Sequence, residues 1–340
     1  MNRRRLLVTL LGFAGAVGIF AGVFWLVGFG QIISTIRRAQ TALVGLMIGV
    51  ICVWLVVWSL GFRTILSGIG IPVSVPKAVG VFAAAMFANN VTPFGQAGGE
   101  PVTAAILKGA SDAKYESGLA AIASFDTLNF ITGITLSIVG LGFYVGALSK
   151  RGRFVIVASV IAGIGLFGLP TLLYLAWRRR ETLEQWAVEN GVPIVQRIAS
   201  VVPRISPPES DTIERNIREF VADIERVGTN RRRIAITFGF TTAGWLLHSV
   251  ALWLALHSLG ASISLLVLFF VLPIGNVADV LPVPGGLGAV SAVFIGLLVS
   301  LGVDPATAAG GVVMYRGVVY WLPVILGGAV TATVGVDTLF

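Results

Sequence analysis

The sequence has one cysteine and two histidines, and only 12% of its 340 residues are charged. A lone cysteine, Cys52, excludes an internal disulfide. The chain also lacks metal-ligand spacing, a catalytic triad pattern and a phosphate-binding glycine loop after a strand. We therefore expect no metal, no cofactor and no enzyme activity.

Apolar residues dominate instead, at 56% of the chain, and the mean hydropathy is +0.91. A soluble domain carries about 25% charged residues. Several charge-free runs exceed the roughly 20 residues that span a bilayer as a helix. The sequence predicts an all-α polytopic membrane protein with one integral membrane domain, 1–340. The candidate segments are 6–28, 41–62, 78–107, 118–149, 154–177, 234–258, 264–302 and 305–336.

The net charge of +8 comes from basic residues that cluster beside apolar runs. There they set topology and contact anionic headgroups, so membrane lipids rather than nucleic acid are the expected partners. Half of all charged residues fall in 178–233, a segment with an arginine triplet at each end. A homo-oligomer is compatible with this composition.

One amphipathic helix is predicted inside this charged segment. Asp211 and Glu214 stand at capping-box spacing. An apolar stripe at helical spacing follows, formed by Ile213, Ile217, Phe220, Val221, Ile224 and Val227. The helix is expected on the membrane surface or against the bundle. Its role, as a solvated linker or as a regulatory or partner-binding element, stays open.

Segment 78–107 contains "NNVTPFGQAGGEP", which is too rich in proline and glycine for one straight helix. We expect a half-helix to about Asn89, a turn, and a second half-helix from Gly99. Such a hairpin places eighteen basic residues inside and five outside, whereas a single crossing favours the outside. The protein is therefore expected in the cell membrane, with its N-terminus and 178–233 in the cytoplasm.

The stretch "NVADVLPVPGGLGAV" repeats this device between two apolar arms. The order of span, broken hairpin and span thus occurs twice, as repeat one (41–149) and repeat two (234–336). The topology makes the two repeats inverted. The expected architecture is about six full spans plus two re-entrant hairpins, with 6–28 and 154–177 as additional helices.

Four charged residues fall deep in these segments: Glu100, Asp126, Asp279 and Arg316. Helix rise places them roughly 12–16 Å from the surface, near the centre of a hydrocarbon core about 30 Å thick. We expect Arg316 to pair with Glu100 or Asp279. The group is either a structural ion pair or a site for a polar headgroup.

Each hairpin also directs a half-helix N-terminus towards the membrane centre, where its free N–H groups favour phosphate or carboxylate. The glycines are expected to let a headgroup approach the backbone. The predicted substrate-binding set is Asn90, Pro93, Gly98, Gly99, Glu100, Asp126, Asn276, Asp279, Gly285, Gly286 and Arg316. His248 is favoured as a packed histidine over a proton relay. Trp58, near a predicted span end, is expected to anchor the interface.

Three stretches carry a family resemblance: "NNVTPFGQAGGEPVTAAIL", "LPVPGGLGAVSAVFIGLLVSLGV" and "VVMYRGVVYWLPVILGG". Together they resemble the lysylphosphatidylglycerol synthase/flippase membrane-region family over about 40–336. The resemblance implies a lipid flippase or lipid-linked transporter. It concerns the membrane region, so an aminoacyl transferase domain and its synthase activity are not implied.

Two positions depart from the family pattern. Family members commonly carry a basic residue shortly after GGE, but 102–104 read Val-Thr-Ala. They also commonly carry Glu three residues after GGLG, where this chain has Ser291. The expected function is transport of an anionic phospholipid or a polyprenyl-phosphate-linked headgroup through a polar mid-membrane cavity. The alternative is a proton-coupled secondary transporter of a small anionic solute.

Overall fold

A computed structural model describes residues 29–92, 96–111, 113–147, 168–201, 209–276 and 288–334. Within these ranges the chain is helical and forms no strand. The helices are α1 (Phe29–Arg37), α2 (Thr41–Gly68), α3 (Val75–Val91), α4 (Gln96–Ala110), α5 (Tyr115–Ala147), α6 (Leu169–Arg178), α7 (Arg180–Val201), α8 (Ser210–Thr229), α9 (Arg231–Ser258), α10 (Leu265–Asn276), α11 (Ala289–Ser300) and α12 (Pro305–Val334).

Four of these helices, α2, α5, α9 and α12, are long and apolar enough to cross a membrane. The apolar helices α3, α10 and α11 have only 17, 12 and 12 residues, fewer than the roughly 20 that a crossing requires. The predicted break in the first hairpin is confirmed, because α3 ends at Val91 and α4 begins at Gln96. The second predicted turn falls in 277–287, outside the described residues.

The helix bounds recur along the chain at a constant spacing of 190 residues. Helices α2 and α9 begin at 41 and 231, α3 and α10 at 75 and 265, and α5 and α12 at 115 and 305. The turns after α2 and α9 match as well, since Gly70 and Gly260 both adopt φ +85°. L-residues with a side chain rarely adopt this φ, which explains glycine at both turns.

A hydrogen bond that closes each of these turns recurs with the same spacing. Arg63 Nε donates to the Val73 carbonyl at 2.7 Å. The residues 190 positions later repeat the contact, because Trp253 Nε1 donates to the Ile263 carbonyl at 3.1 Å. Different side chains thus hold the same backbone geometry in the two halves of the chain.

The centre of the bundle is the contact between α2 and α9. His248 stacks near Trp54, with ring centroids 4.4 Å apart, and Arg233 Nη1 donates to the Thr64 carbonyl at 3.2 Å. Contacts therefore move forward on α2 while they move backward on α9, so the two helices are antiparallel.

Trp58 lies inside this contact and is only 7% exposed. Its indole occupies the space above Gly244, where a Cβ would be 1.6 Å from Trp58 Nε1. The expectation of an interface anchor at Trp58 is wrong. The cause is the predicted boundary, because α2 continues to Gly68 and leaves Trp58 well inside the helix.

Helices α3 and α10 each pack against the last long helix of the other half of the chain. Helix α3 packs on α12, and α10 packs on α5. The same contact occurs in both places, between Gly80 and Val330 and between Gly140 and Phe270, and these positions differ by 190 residues. The two halves are therefore interlocked rather than side by side.

Helix α8 takes the second of its two expected placements and packs against α5 and α7. Its buried residues are Ile213, Asp223 and Val227. The predicted capping box is wrong, because the helix begins at Ser210 and its N-cap, Glu209, makes no side-chain capping bond. Packing rather than a local cap holds the helix in place.

The last turn of α2 and the start of α5 both meet α8. Gly68 and Arg226 line one groove, and Lys114, directly before α5, pairs with Glu219 at 2.7 Å. The C-terminal end of α2 and the N-terminal end of α5 therefore lie at the same end of the bundle.

Gly327 tests the interlocked packing. A Cβ at this position would lie 2.1 Å from the Ala83 carbonyl oxygen. Because that oxygen belongs to the backbone, Gly327→Ala is expected to destabilise the protein by about 1–3 kcal/mol. Gly317, on the same helix, has nothing within 4 Å. Gly317→Ala should be neutral or mildly stabilising. Thermal unfolding in detergent measures both, and equal midpoints would contradict the packing.

Candidate functional site

The first hairpin break lies where α3 ends, and α12 contacts the chain there. Asn90 is 9% exposed. Its backbone carbonyl accepts a hydrogen bond from the Tyr320 hydroxyl at 3.4 Å. This bond joins the end of the first hairpin arm to the last long helix of the other half.

Not every predicted site residue falls within the described residues. Pro93, Asp279, Gly285 and Gly286 lie outside them. Asn276 is described as the last residue of α10 and is partly buried.

Gly98 and Gly99 lie in the first turn of α4, and the structure gives Gly99 a different role from the expected one. A Cβ on Gly99 would lie 1.9 Å from Asn89 Oδ1 and 2.6 Å from Asn89 N. The space beside Gly99 is therefore filled by α3. The missing side chain allows the two hairpin arms to touch, so its first role is packing rather than headgroup access.

Glu100 on α4 and Asp126 on α5 form the acidic part of the site. Their side chains are hydrogen-bonded to each other, and both residues are partly buried. The acid that contacts Glu100 thus comes from the neighbouring helix of the same half.

Arg316 on α12 forms the basic part of the site. It lies within electrostatic range of His248 and Tyr320. Contacts between the antiparallel helices α3 and α12 run from Gly80–Val330 to Asn90–Tyr320. Arg316 lies one turn further along α12 in the same direction. It therefore stands beside the break of the first hairpin.

His248 is held by rings and one hydrogen bond. Its imidazole lies against Trp54 and Trp58, and its Nδ1 is hydrogen-bonded to the Tyr315 hydroxyl. The residue is buried. This is the packed arrangement that the sequence favoured.

Asp126 and Arg316 occupy equivalent positions, because each lies eleven residues after the start of its helix, at 115 and 305. The aromatic residues directly before them also make equivalent contacts in the two halves. Phe125 packs edge-on against Trp58, and Tyr315 packs edge-on against His248. The two halves thus place a carboxyl group and a guanidinium at one structural position.

Sequence reasoning missed Tyr315 and Tyr320. Both belong to the surroundings of Arg316, one through His248 and one through Asn90. A usable signal was present for Tyr320, which lies four residues after Arg316 and so shares its helix face. Tyr315 belongs to the stretch that carries the family resemblance, but its partner His248 lies on a distant helix and could not be inferred from sequence.

Comparison with known proteins decides the family. The sequence profile described as the lysylphosphatidylglycerol synthase TM region matches residues 10–327. The chain belongs to this family. The resemblance noted in the three motif stretches is therefore confirmed over nearly the whole chain.

The family includes similar archaeal proteins. The chain is 27% identical to a UPF0104 membrane protein of Methanothermobacter thermautotrophicus, covering 91% of this chain and 90% of the relative. It is 26% identical to the UPF0104 membrane protein PH1989 of Pyrococcus horikoshii, covering 90% and 91%. It is also 26% identical to the glycosyltransferase AglD of Haloferax volcanii over 85% of this chain, but over only 48% of that relative.

The contact between Glu100 and Asp126 can be tested by a double-mutant cycle. Glu100→Ala, Asp126→Ala and the double variant are expected to show a coupling of about 0.5–3 kcal/mol, because the residues are hydrogen-bonded. Asp304, an exposed residue that caps α12 through the Thr307 N–H, serves as the control partner. Glu100→Ala with Asp304→Ala should be additive. Denaturant or thermal unfolding in detergent measures the free energies, and additivity in the first cycle would refute the contact.

Proposed function

We propose that the protein is a lipid flippase that moves an anionic or lipid-linked headgroup through a polar site near the membrane centre. The carrying observation is the pair of opposite charges at equivalent positions, Asp126 and Arg316, each on the long helix that packs against the other half's hairpin. A charge at the bilayer centre costs at least about 2.5–3.5 kcal/mol, so such residues usually mark a pathway for polar groups.

An inverted repeat with two re-entrant hairpins is part of this proposal. The antiparallel packing of α2 and α9, at equivalent places in the two halves, supports opposite orientations in the membrane. The first hairpin is supported as re-entrant because the end of α2 and the start of α5 lie at one end of the bundle. Inverted repeats with broken helices at mid-depth are typical of alternating-access transporters.

In this mechanism the headgroup enters between the two halves while its acyl chains remain in the bilayer. Arg316, beside the first hairpin break, receives the phosphate. The hydrogen-bonded pair Glu100 and Asp126 faces the remaining polar groups or carries a proton. Membership of a lipid-related membrane family supports a lipid substrate. The relative AglD is named a glycosyltransferase, which makes sugar-bearing substrates one class to test.

The second candidate is proton-coupled transport of a small anionic solute. The hydrogen bond between Glu100 and Asp126 favours it, because a carboxyl pair that shares a proton can release it when a substrate arrives. Reconstituted liposomes distinguish the candidates. A flippase should translocate fluorescent phospholipids or polyprenyl phosphates without a solute, whereas the alternative should acidify or alkalise the lumen only when the solute is supplied.

Arg316 is the residue to test in this assay. Arg316→Gln is expected to slow lipid translocation about tenfold or more, because one charge-assisted contact contributes about 1.5–3 kcal/mol. The exposed Arg37, at the end of α1, provides a control with the same charge change. Arg37→Gln should translocate normally.

Thermal stability separates the structural explanation from the functional one. If Arg316 only balances a buried acid, Arg316→Gln should unfold at lower temperature, and neutralising the acid as well should restore the midpoint. A folded Arg316→Gln variant with normal translocation would refute its place in the site.

Topology is tested by labelling a single cysteine. Ala222 is exposed on α8, within the segment expected in the cytoplasm because the hairpin topology collects most basic residues there. In a Cys52→Ser background, Ala222→Cys should react with a membrane-impermeant maleimide only after cells are opened. Reaction in intact cells would place α8 outside and contradict the hairpin topology.

A further inference from the structure

A shallow groove lies where α8 meets the ends of two long helices. Its lining residues are Gly68, Arg226, Thr229, Asn230 and Arg231. Gly68 is the last residue of α2 and Arg231 is the first of α9, and both helices are candidate spans. The groove therefore lies at the level where two spans end, which is the level of lipid headgroups.

The first turn of α9 is unusually positive. It contains Arg231, Arg232 and Arg233 and no acidic residue. Cations are disfavoured at a helix N-terminus, because its free N–H groups already carry partial positive charge. Helix stability alone therefore does not explain this triplet.

Among the described residues, Arg233 is the member of this triplet with a structural partner. Its Nη1 donates to the Thr64 carbonyl at 3.2 Å. Its Cδ lies against Gly68, where an added Cβ would be 3.3 Å away. Arg231 is exposed. Among the described residues, no acid forms an ion pair with it.

Arg226, on the other wall, keeps most of its donors available. Its Nη1 binds Asp223 Oδ1 at 3.0 Å, while its side chain is 66% exposed. Asp223 is 4% exposed and also accepts a hydrogen bond from the Ser117 hydroxyl. A guanidinium has five N–H donors, so Arg226 can hold Asp223 and still bind a ligand.

Glu225, the acidic residue next to Arg226 in the sequence, does not neutralise the positive charge of the groove. Glu225 pairs with Arg180 Nε at 2.7 Å. The groove thus combines two exposed guanidinium groups with the N-terminus of a 28-residue helix, against one buried carboxylate.

We propose that this groove binds the phosphate of an anionic phospholipid from the adjacent leaflet, with Arg226 and Arg231 as its ligands. Guanidinium groups suit phosphate because they donate two parallel hydrogen bonds. The groove is separate from Arg316, Glu100 and Asp126. It adds a surface site to the central one, so lipid can be bound there whether or not it is transported.

Arg232 provides a matched control, because it is exposed, adjacent to Arg231 and equally charged, but does not line the groove. The full-length protein is titrated with short-chain phosphatidylglycerol or phosphatidylcholine in detergent, and bound lipid is counted by native mass spectrometry. Arg226→Gln with Arg231→Gln is expected to weaken phosphatidylglycerol binding about tenfold, equivalent to about 1.4 kcal/mol. Arg232→Gln should leave it nearly unchanged.

The outcomes separate a built site from a generally basic surface. Equal losses in Arg231→Gln and Arg232→Gln would overturn the proposal, because charge alone would then explain binding. Equal binding of phosphatidylcholine would overturn the preference for an anionic lipid. Displacement of phosphatidylglycerol by millimolar inorganic phosphate would reassign the groove to free phosphate. Unchanged thermal midpoints in the variants show that the fold is intact.

Discussion

The contact between α2 and α9 is the constraint on which the rest of the structure depends. Lipid provides no hydrophobic drive for helices to associate, so close packing must hold them together. Here Gly244 leaves room for the Trp58 indole, and His248 fills the next space towards Trp54. Because this contact is antiparallel and joins equivalent helices, it fixes how the two halves face each other.

The positions of the short apolar helices α3 and α10 follow from that central pair. With α2 and α9 fixed, α12 passes along α3 and α5 passes along α10. Bare glycines on these helices, at Gly327 and Gly140, bring backbones close enough for contact. A long continuous helix of the other half therefore lies along α3 and along α10.

Much of this arrangement could be predicted from the composition and from the positions of proline and glycine. Long apolar runs predicted the four candidate spans among the described residues, and Pro93 with its neighbouring glycines predicted the first break. The role of Gly99 could not be predicted, because only the fold shows that Asn89 occupies its open side. Trp58 was misplaced for a simple reason. The predicted span ended before Arg63, but the helix continues to Gly68, and the end of a helix cannot be located from hydropathy alone when it extends beyond the apolar run.

The site itself was predicted in part. Glu100, Asp126 and Arg316 were identified because they lie deep in apolar segments, where a charged side chain is costly and usually has a function. The hydrogen bond between the two acids was missed, since electrostatics from sequence favours pairing of opposite charges. The sequence does not show how the helices of Glu100 and Asp126 are aligned with each other. The contact between these two side chains could therefore not be predicted.

The constant spacing of 190 residues shows that Asp126 and Arg316 occupy equivalent positions in the two halves. Two halves with the same helix pattern create two equivalent positions, which identical residues could have filled. The chain instead places a carboxyl group at one and a guanidinium at the other. In the proposed mechanism, these opposite charges would let the two halves approach one headgroup, with Arg316 suited to its phosphate and Asp126 to its hydroxyl, amine or proton.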